Sequence, residues 1–488
     1  GWLTKALFAG AAAGVFALQW LFWRLAGRLA SRVPSGRRLA ALAGVLLLAV
    51  AADKGLFAWG TLYDSVYITR NARLFPLYQP LTVRSLASKY LGVKLDGEVS
   101  IKADLKYTGL DYPKAPLSVD AKARPLNFLV IVVDSLRADM LDPQIMPETW
   151  SLAARARRFT NHYSGGNCTR FGIFSMFYGI YGNYWFPMLG ERRGPVLMDV
   201  LLDRGYDVRL FASAKLSFPE FNKTCFVRVP RSGIYDEPPP RDGAGRDRDI
   251  SERLSAYLRA RKQGKPYFAF VFYDASHGSY DYPPGYDKFR PSEGLNPLML
   301  NKDNFRPLFN KYKNSVHYDD SLIGGVLKAV KETGGFRDTV VLIAGDHGEP
   351  FFERGYYGHN QGYSPEEVRV PLVLYVPGRG ALMEKKMTSH MDIPPTLLKL
   401  LGVGNPPSDY SSGTDLFSAG AGRKSVAVFS WDTAAIIRED GLIVMPLAAY
   451  KGGVKAYDAE YKEMGRSFAA SFGPLMGEFQ KEGRRFSR

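Results

Sequence analysis

The sequence predicts a three-layer α/β/α sandwich with a mainly parallel sheet, a small C-terminal antiparallel unit after it and transmembrane helices before it. Three observations support this. Apolar, β-branched runs recur at long intervals: LNFLVIVVDS (126–135), YDVRLFAS (206–213), YFAFVFYD (267–274), TVVLIAGDHG (339–348) and VPLVLYVPG (370–378). Such continuous runs read as strands buried on both faces, which marks a parallel sheet. Helix-like segments, DISERLSAYLRARK (249–262) and DSLIGGVLKAVKETGG (320–335), lie between them, as parallel crossovers require. Shorter strand-like runs, SVAVFSW, AAIIRE and GLIVMP, follow Gly422 and read as the antiparallel unit.

The amino-terminal elements read as membrane. Ala6 to Trp23 is eighteen residues without a charge, close to the ~20 that a spanning helix needs. A second span is expected from Leu39 to about Tyr63, interrupted by the adjacent, oppositely charged Asp53 and Lys54. Trp20, Trp23 and Trp59 are suited to anchor at an interface. The loop between, residues 24–38, carries five arginines and no acid, so the positive-inside rule places it in the cytoplasm. The rest of the chain then faces the periplasm or the outside. That orientation, and a chain starting at Gly1, lead to the expectation that further spans precede it, with a cleaved signal peptide as the competing explanation. The expected division is 1–65 transmembrane, 66–124 periplasmic linker, 125–422 α/β domain and 423–488 antiparallel subdomain with a basic tail.

The formal net charge is +16, which calls for an anionic partner. Zinc-finger spacing, RNP patterns and basic heptads are all missing, so nucleic acid is set aside in favour of an anionic membrane. In the linker, Arg70, Arg73, Arg84 and Lys89 are placed to bind anionic lipid headgroups or to form a solvated surface. Two cysteines, Cys168 and Cys225, are too few for a disulfide scaffold, and a single bond between them is left open. Oligomeric state is also left open.

The chemistry is written at the strand ends. Asp134 closes the first run, Asp274 the third with His277 just beyond, and Asp346 and His347 the fourth. Ligands bind outside the carboxyl ends of strands in open α/β sheets, so these groups should converge. Carboxylates and imidazoles together suit a divalent metal, zinc or manganese first. A lone strand-terminal aspartate is often only a helix cap, but a buried carboxylate beside an imidazole needs a partner. Of six histidines, His277, His347, His359 and His390 lie beside glycine, serine or asparagine in loops. His162 reads as a packed polar residue, and His317 as helix surface or as support behind the site residues. Thr169, in SGGNCTRFGIFSMFYG, suits a helix N-cap. It also suits a nucleophile, with GGN allowing close backbone approach to a ligand and the helix dipole favouring an anion.

These motifs resemble the alkaline-phosphatase superfamily, in its membrane-anchored sulfatase-like branch. VVDSLRADML is similar to its first-strand metal motif, NHYSGGNCTRFGIFSMFYG to its nucleophile segment, and GDHGEPFFERGYYGHN to the metal motif of phosphoethanolamine transferases and lipoteichoic-acid synthases. DASHGSYDYP, YKNSVHYDDSLIGGVL and SHMDIPPTLLKLLG extend the likeness over roughly residues 125–418. The nucleophile segment and basic linker most resemble PbgA/YejM-type inner-membrane proteins, a group tied to cardiolipin and lipopolysaccharide homeostasis that includes lipid-sensing regulators.

The resemblance implies a metal site of Asp134, Thr169, Asp346 and His347, with Thr169 as nucleophile and zinc, manganese or magnesium as the ion. His277, His359 and His390 would hold the transferred group or a second metal, and Asn167, Arg170 and Lys215 would contact phosphate. Sulfatases mature the Cys or Ser of C/S-x-P-x-R to formylglycine. Here Cys168 is followed by TRFG, which argues against sulfate-ester hydrolysis. The expected activity is phosphotransfer from a phospholipid headgroup at the inner membrane. The alternatives are a lipid- or lipopolysaccharide-binding sensor and a phosphatase.

Overall fold

The computed structural model describes Trp20, Leu21, Arg24, residues 36–62 and residues 109–488 apart from 262–263, 294–299, 421 and 448–452. Except for Trp20 and Leu21, the first expected span lies outside the described residues, as do Arg70, Arg73, Arg84 and Lys89. The chain forms two compact units, Gly1–Leu105 and Lys106–Arg488.

In the first unit, the second expected span is helical as α1 (Gly36–Leu62). Val45, Leu46, Leu47, Leu48, Val50 and Leu56 are exposed on it, and Asp53 pairs with Lys54 at 3.7 Å. The uncharged run from Leu39 to Ala52 is fourteen residues, short of the ~20 needed. Among the described residues, no helix is long and apolar enough to cross a membrane.

Among the described residues, the second unit holds fifteen strands. In chain order these begin β1 (Asn127–Val133), β2 (Arg157–Phe159), β3 (His162–Tyr163), β4 (Asp207–Ala212) and β5 (Ile234–Tyr235). Next come β6 (Tyr267–Tyr273), β7 (Thr339–Gly345), β8 (Leu372–Tyr375), β9 (Leu382–Glu384) and β10 (Thr388–Ser389). The last five are β11 (Val426–Phe429), β12 (Thr433–Arg438), β13 (Gly441–Pro446), β14 (Lys455–Asp458) and β15 (Glu463–Met464).

Eight of the strands make the main sheet, ordered β5-β4-β6-β1-β7-β8-β2-β9. From β5 to β7 all neighbours are parallel. The run 370–378 was expected to be parallel as well, but β8 is antiparallel to both β7 and β2. The reason is the connection: only one short helix, α8 below, separates β7 from β8. The residues from Asp346 to Pro371 form the loop at the site edge and not a helical crossover along the sheet, so β8 starts at the end where β7 stops.

Helices in this unit are α2 (Pro147–Ala153), α3 (Thr169–Tyr178), α4 (Trp185–Glu191), α5 (Val196–Asp203), α6 (Gly243–Ala260), α7 (Arg306–Glu332), α8 (Pro365–Val368), α9 (Ile393–Leu400), α10 (Arg466–Ala470) and α11 (Gly473–Glu482). Successive side chains on a strand point to opposite faces, so β1 feeds two cores. Phe128, Val130 and Val132 pack with α3, α5 and α9. Leu129, Ile131 and Val133 pack with α2, α6 and α7. The sandwich is therefore α/β/α.

The C-terminal sheet is an antiparallel meander, β11 to β15. Two boundaries differ from expectation. The expected linker joins the folded unit before residue 125: Tyr112 is buried beside Tyr178 and Phe486, and Val119 bridges to Val403. The expected basic tail is packed, with Phe486 fully buried and Arg485 donating to the Ser411 carbonyl. Apolar contact at Phe486 outweighs the arginines around it, whose charged heads can still reach water. Cys168 and Cys225 are both free and buried.

Candidate metal centre and nucleophile

The neighbouring strands β6, β1 and β7 end side by side, so Asp274, Asp134 and the Asp346–His347 pair arrive at one edge. Ser135, directly after β1, takes φ +60°, a left-handed turn that is costly for a non-glycine residue. Its N–H donates to Asp346 Oδ1 at 3.0 Å and its hydroxyl to Asp134 Oδ1 at 2.9 Å. Helix α3 arrives against the same edge. A Cβ on Gly172 would lie 2.3 Å from the Asp346 carbonyl oxygen, so only glycine lets the helix come this close.

Thr169 is the first residue of α3. The cap position belongs to Cys168, which makes no side-chain capping bond, so the capping role expected of Thr169 is not the one it plays. The GGN stretch is tightly packed. A Cβ on Gly166 would lie 2.3 Å from Phe171 Cβ, so the loop folds tightly onto its own helix. Thr169 Oγ1 is left 3.3 Å from Asp134 Oδ2 and 3.2 Å from His347 Nε2. The Cys168 thiol is pushed up to about 12 by burial, which keeps it protonated and a poor nucleophile.

His347 Nδ1 lies 2.8 Å from the Gly348 carbonyl. A carbonyl only accepts, so Nδ1 carries the proton and Nε2 presents a lone pair. That lone pair lies 3.5 Å from both Asp134 Oδ1 and Asp346 Oδ2. Asp346 Oδ2 is fully buried without a hydrogen-bond partner. Oxygen and nitrogen ligand atoms of Asp134, Asp346 and His347 lie within 4.8 Å of one another. Lone pairs converging in a buried corner repel unless a cation lies among them. The donor set therefore fits a divalent metal, and its mixed oxygen and nitrogen character suits zinc or manganese.

Electrostatics divides the two carboxylates. Burial pulls Asp134 upward, but His277, His347 and His359 together outweigh it and hold its carboxyl below the usual range. Asp346 is pushed well above its ordinary value by burial and then by the Asp134 charge. Burial lowers His347, while the Asp134 charge raises His277. Two carboxylates this close cannot both stay ionised without a cation.

Of the remaining expected residues, His277 and His359 join the site. Their rings form a row, with His347 to His359 at 4.4 Å and His359 to His277 at 5.3 Å between centroids. His277 is the open end, with its side chain 40% exposed. His390 does not reach this side. It is fully buried, with Nδ1 3.3 Å from the Gly172 carbonyl. Its ring packs 5.2 Å from that of His162, which is buried as expected and bonded to Thr388.

Asn167 is a buried peg, donating to the Gly362 carbonyl at 2.9 Å. Arg170 bonds Glu220 at 2.5 Å, with its guanidinium 4.7 Å from the Trp185 ring and 4.4 Å from the Trp431 ring. Lys215 is an exposed side chain paired with Glu237 at 3.0 Å. His317, on α7, bonds the Ile145 carbonyl.

Sequence reasoning missed Glu349, whose Oε2 lies 2.6 Å from His359 Nδ1. Its other oxygen accepts from Tyr280. The signal was present, because Glu349 is the last residue of GDHGE. Tyr280 carried no such signal; its place depends on a left-handed φ of +53°.

Residues 126–403 match the Sulfatase family model, which is more than half the chain. An uncharacterized protein of Haemophilus influenzae is 27% identical over 417 residues, covering 84% of this chain and 63% of that one. The inner membrane protein YejM of Salmonella typhimurium is 26% identical over 412 residues, covering 83% of this chain and 64% of that one. The match thus spans slightly less than two thirds of these relatives.

Among solved structures, a protein in the alkaline phosphatase superfamily from Vibrio parahaemolyticus superposes with a TM-score of 0.56 at 18% identity, covering 81% of this chain and 94% of that one. Phosphonate monoester hydrolase from Silicibacter pomeroyi gives 0.58 at 17% identity, covering 74% and 96%. At such identities the likeness shows the fold. With its sheet and its family match, the chain belongs to the sulfatase family.

Proposed function

We propose that this chain is a membrane-anchored, metal-dependent phosphotransferase. It would move the phosphoryl unit of a phospholipid headgroup, phosphoethanolamine- or phosphoglycerol-like, to an envelope glycan or lipid. Carrying this reading is Thr169 Oγ1 at a corner where lone pairs of Asp134, Asp346 and His347 converge and the buried Asp346 Oδ2 has no hydrogen-bond donor. A divalent metal held by Asp134, Thr169, Asp346 and His347 would supply positive charge for the threonine oxygen and the phosphoryl oxygens.

Thr169 Oγ1 attacks phosphorus and loses its proton, for which Asp134 Oδ2 is an acceptor at 3.3 Å. The bond from phosphorus to the diacylglycerol oxygen breaks, and that oxygen takes the proton held by Asp134 to leave as diacylglycerol. An acceptor hydroxyl then attacks phosphorus and gives its proton to Asp134, the bond from phosphorus to Thr169 Oγ1 breaks, and Asp134 returns the proton to Thr169. His277 and His359 would hold the transferred group, and the N-terminus of α3 faces its negative charge. In this reading α1 and the preceding segment anchor the domain on the periplasmic face of the inner membrane, with the linker basic residues on anionic lipid or lipopolysaccharide.

One observation favours a second reading, a lipid-binding regulator without turnover. Arg170 and Lys215, expected on phosphate, are engaged by Glu220 and Glu237 instead.

The test is purified full chain given a headgroup-labelled phospholipid, with elemental analysis of bound metal. Stoichiometric zinc or manganese, label on Thr169 by mass spectrometry and an inactive Thr169→Ala variant support transfer. Metal-free protein, or full turnover by Thr169→Ala, overturns it. Label ending only in a water-soluble product identifies a phosphatase.

A further inference from the structure

The site is built from two loops far apart in sequence, and both are fastened to the C-terminal sheet. The first loop leads into Thr169. Its Asn167 N–H donates to the Phe429 carbonyl at 3.1 Å, and the Phe429 N–H donates to the Gly165 carbonyl at 2.9 Å. Phe429 ends strand β11. The second loop, between β7 and α8, carries His359. Ser430 Oγ donates to Asn360 Oδ1 at 3.1 Å. The Tyr363 hydroxyl bonds Thr433 Oγ1 at 2.7 Å. The Tyr363 N–H donates to the Tyr461 hydroxyl at 2.9 Å, reaching the β14–β15 turn. Arg354, in the same loop, donates to the Glu460 carbonyl at 2.6 Å.

The two loops are also tied to each other. The Asn360 N–H donates to the Asn167 carbonyl at 3.0 Å, and Asn167 Nδ2 donates to the Gly362 carbonyl at 2.9 Å. From beneath, Glu367 accepts from the Gln361 and Gly362 N–H groups, each at 3.0 Å, and from Tyr356 at 2.8 Å. There is no slack at Gly362. A Cβ there would lie 2.5 Å from the Tyr356 hydroxyl and 2.6 Å from that of Tyr461.

We infer that the C-terminal antiparallel sheet is a brace that sets His359 against Thr169, and that Tyr461 is a positioning residue acting through the His359 loop. An imidazole must be held within a fraction of an ångström to serve a reacting group. The His359 side chain is tied to Glu349, but its main chain is glycine-flanked, with Gly355 and Gly358 at positive φ. Such a segment is floppy unless fastened, and the fastening is supplied by Glu367 and by the sheet. Only the turnover arm of the test rests on the phosphotransfer reading.

The experiment is Tyr461→Phe in the full chain, which removes one hydroxyl. Amide hydrogen exchange in residues 356–363 should speed up about tenfold, the loss of one hydrogen bond, with β1 and β7 unchanged. Turnover of labelled phospholipid should fall about tenfold in kcat, with metal content unchanged. In a His359→Ala background the same substitution should cost nothing further. Thr433→Val, which frees the Tyr363 hydroxyl, should speed the same exchange. Unaltered exchange at 356–363 in both variants overturns the brace. So does a turnover loss that adds in full to that of His359→Ala. If the unaltered protein shows no turnover, the phosphotransfer reading falls and the exchange measurement alone decides the brace.

Discussion

Two groups of histidines in this molecule have opposite fates. His347, His359 and His277 form a row beside Asp134, Asp346 and Glu349, and the row opens toward solvent at His277. His162 and His390 also pack together, with tilted rings 5.2 Å apart, but both are buried. Carboxylates next to the first group raise His277 and face the His347 Nε2 lone pair, although burial lowers His347. The second group bonds a backbone carbonyl and a threonine; burial first, with His347 near His390 and Arg423 near His162 adding to it, drives His390 down to about 4 and His162 well below its ordinary value. Neighbouring charge, and not residue type or loop context, separates a working histidine from a structural one.

The sharpest way to break this comparison is His347→Ala. Bound metal should be lost and turnover should fall on the order of a thousandfold or more. Elemental analysis and the labelled-lipid assay read both, and retained metal would mean that the row is not a metal site.

The next effect is on stability. His390 is fully buried, and its folded pKa of about 4 lies below the 6.5 of the unfolded chain. The unfolded state therefore binds the extra proton between these values. The stability from its neutral burial is complete above pH 6.5 and is lost as pH falls toward 4. The linkage amounts to about 3 kcal/mol. Urea unfolding of His390→Gln at pH 7 and pH 4.5 should show an acid limb shallower by that order, with metal content retained. An unchanged limb would remove His390 from the buried group.

Smaller again is Glu349→Gln. It weakens the 2.6 Å tie to His359 and should lower kcat about tenfold, while the unfolding midpoint changes little. Least of all is Lys215→Ala. Its exposed pair with Glu237 is worth under ~1 kcal/mol, and turnover should stay within about twofold. A larger loss of turnover would return Lys215 to the site.

Much of this was legible in sequence because it depends on local pattern. Continuous apolar runs marked the central strands β1, β6 and β7, and each central run ended in the polar residue now found at the site edge. The direction of β8 was not legible, because it depends on how the chain leaves β7 and not on the composition of β8. Arg170 follows Thr169 and has the look of a phosphate ligand, yet Glu220, Trp185 and Trp431 capture it from other segments. His390 shares the glycine- and serine-rich surroundings of the other histidines, and nothing local betrays that α3 covers it.

The amino-acid sequence by itself determined the α/β architecture, the strand-end carboxylates and the threonine that heads α3, because periodicity and motif spacing are properties of neighbouring residues. Tertiary structure alone decided which histidines meet those carboxylates, where Arg170 turns, and that the C-terminal sheet grips both site loops. Those outcomes depend on burial and on charges brought together from hundreds of residues away, and no local stretch of chain encodes them.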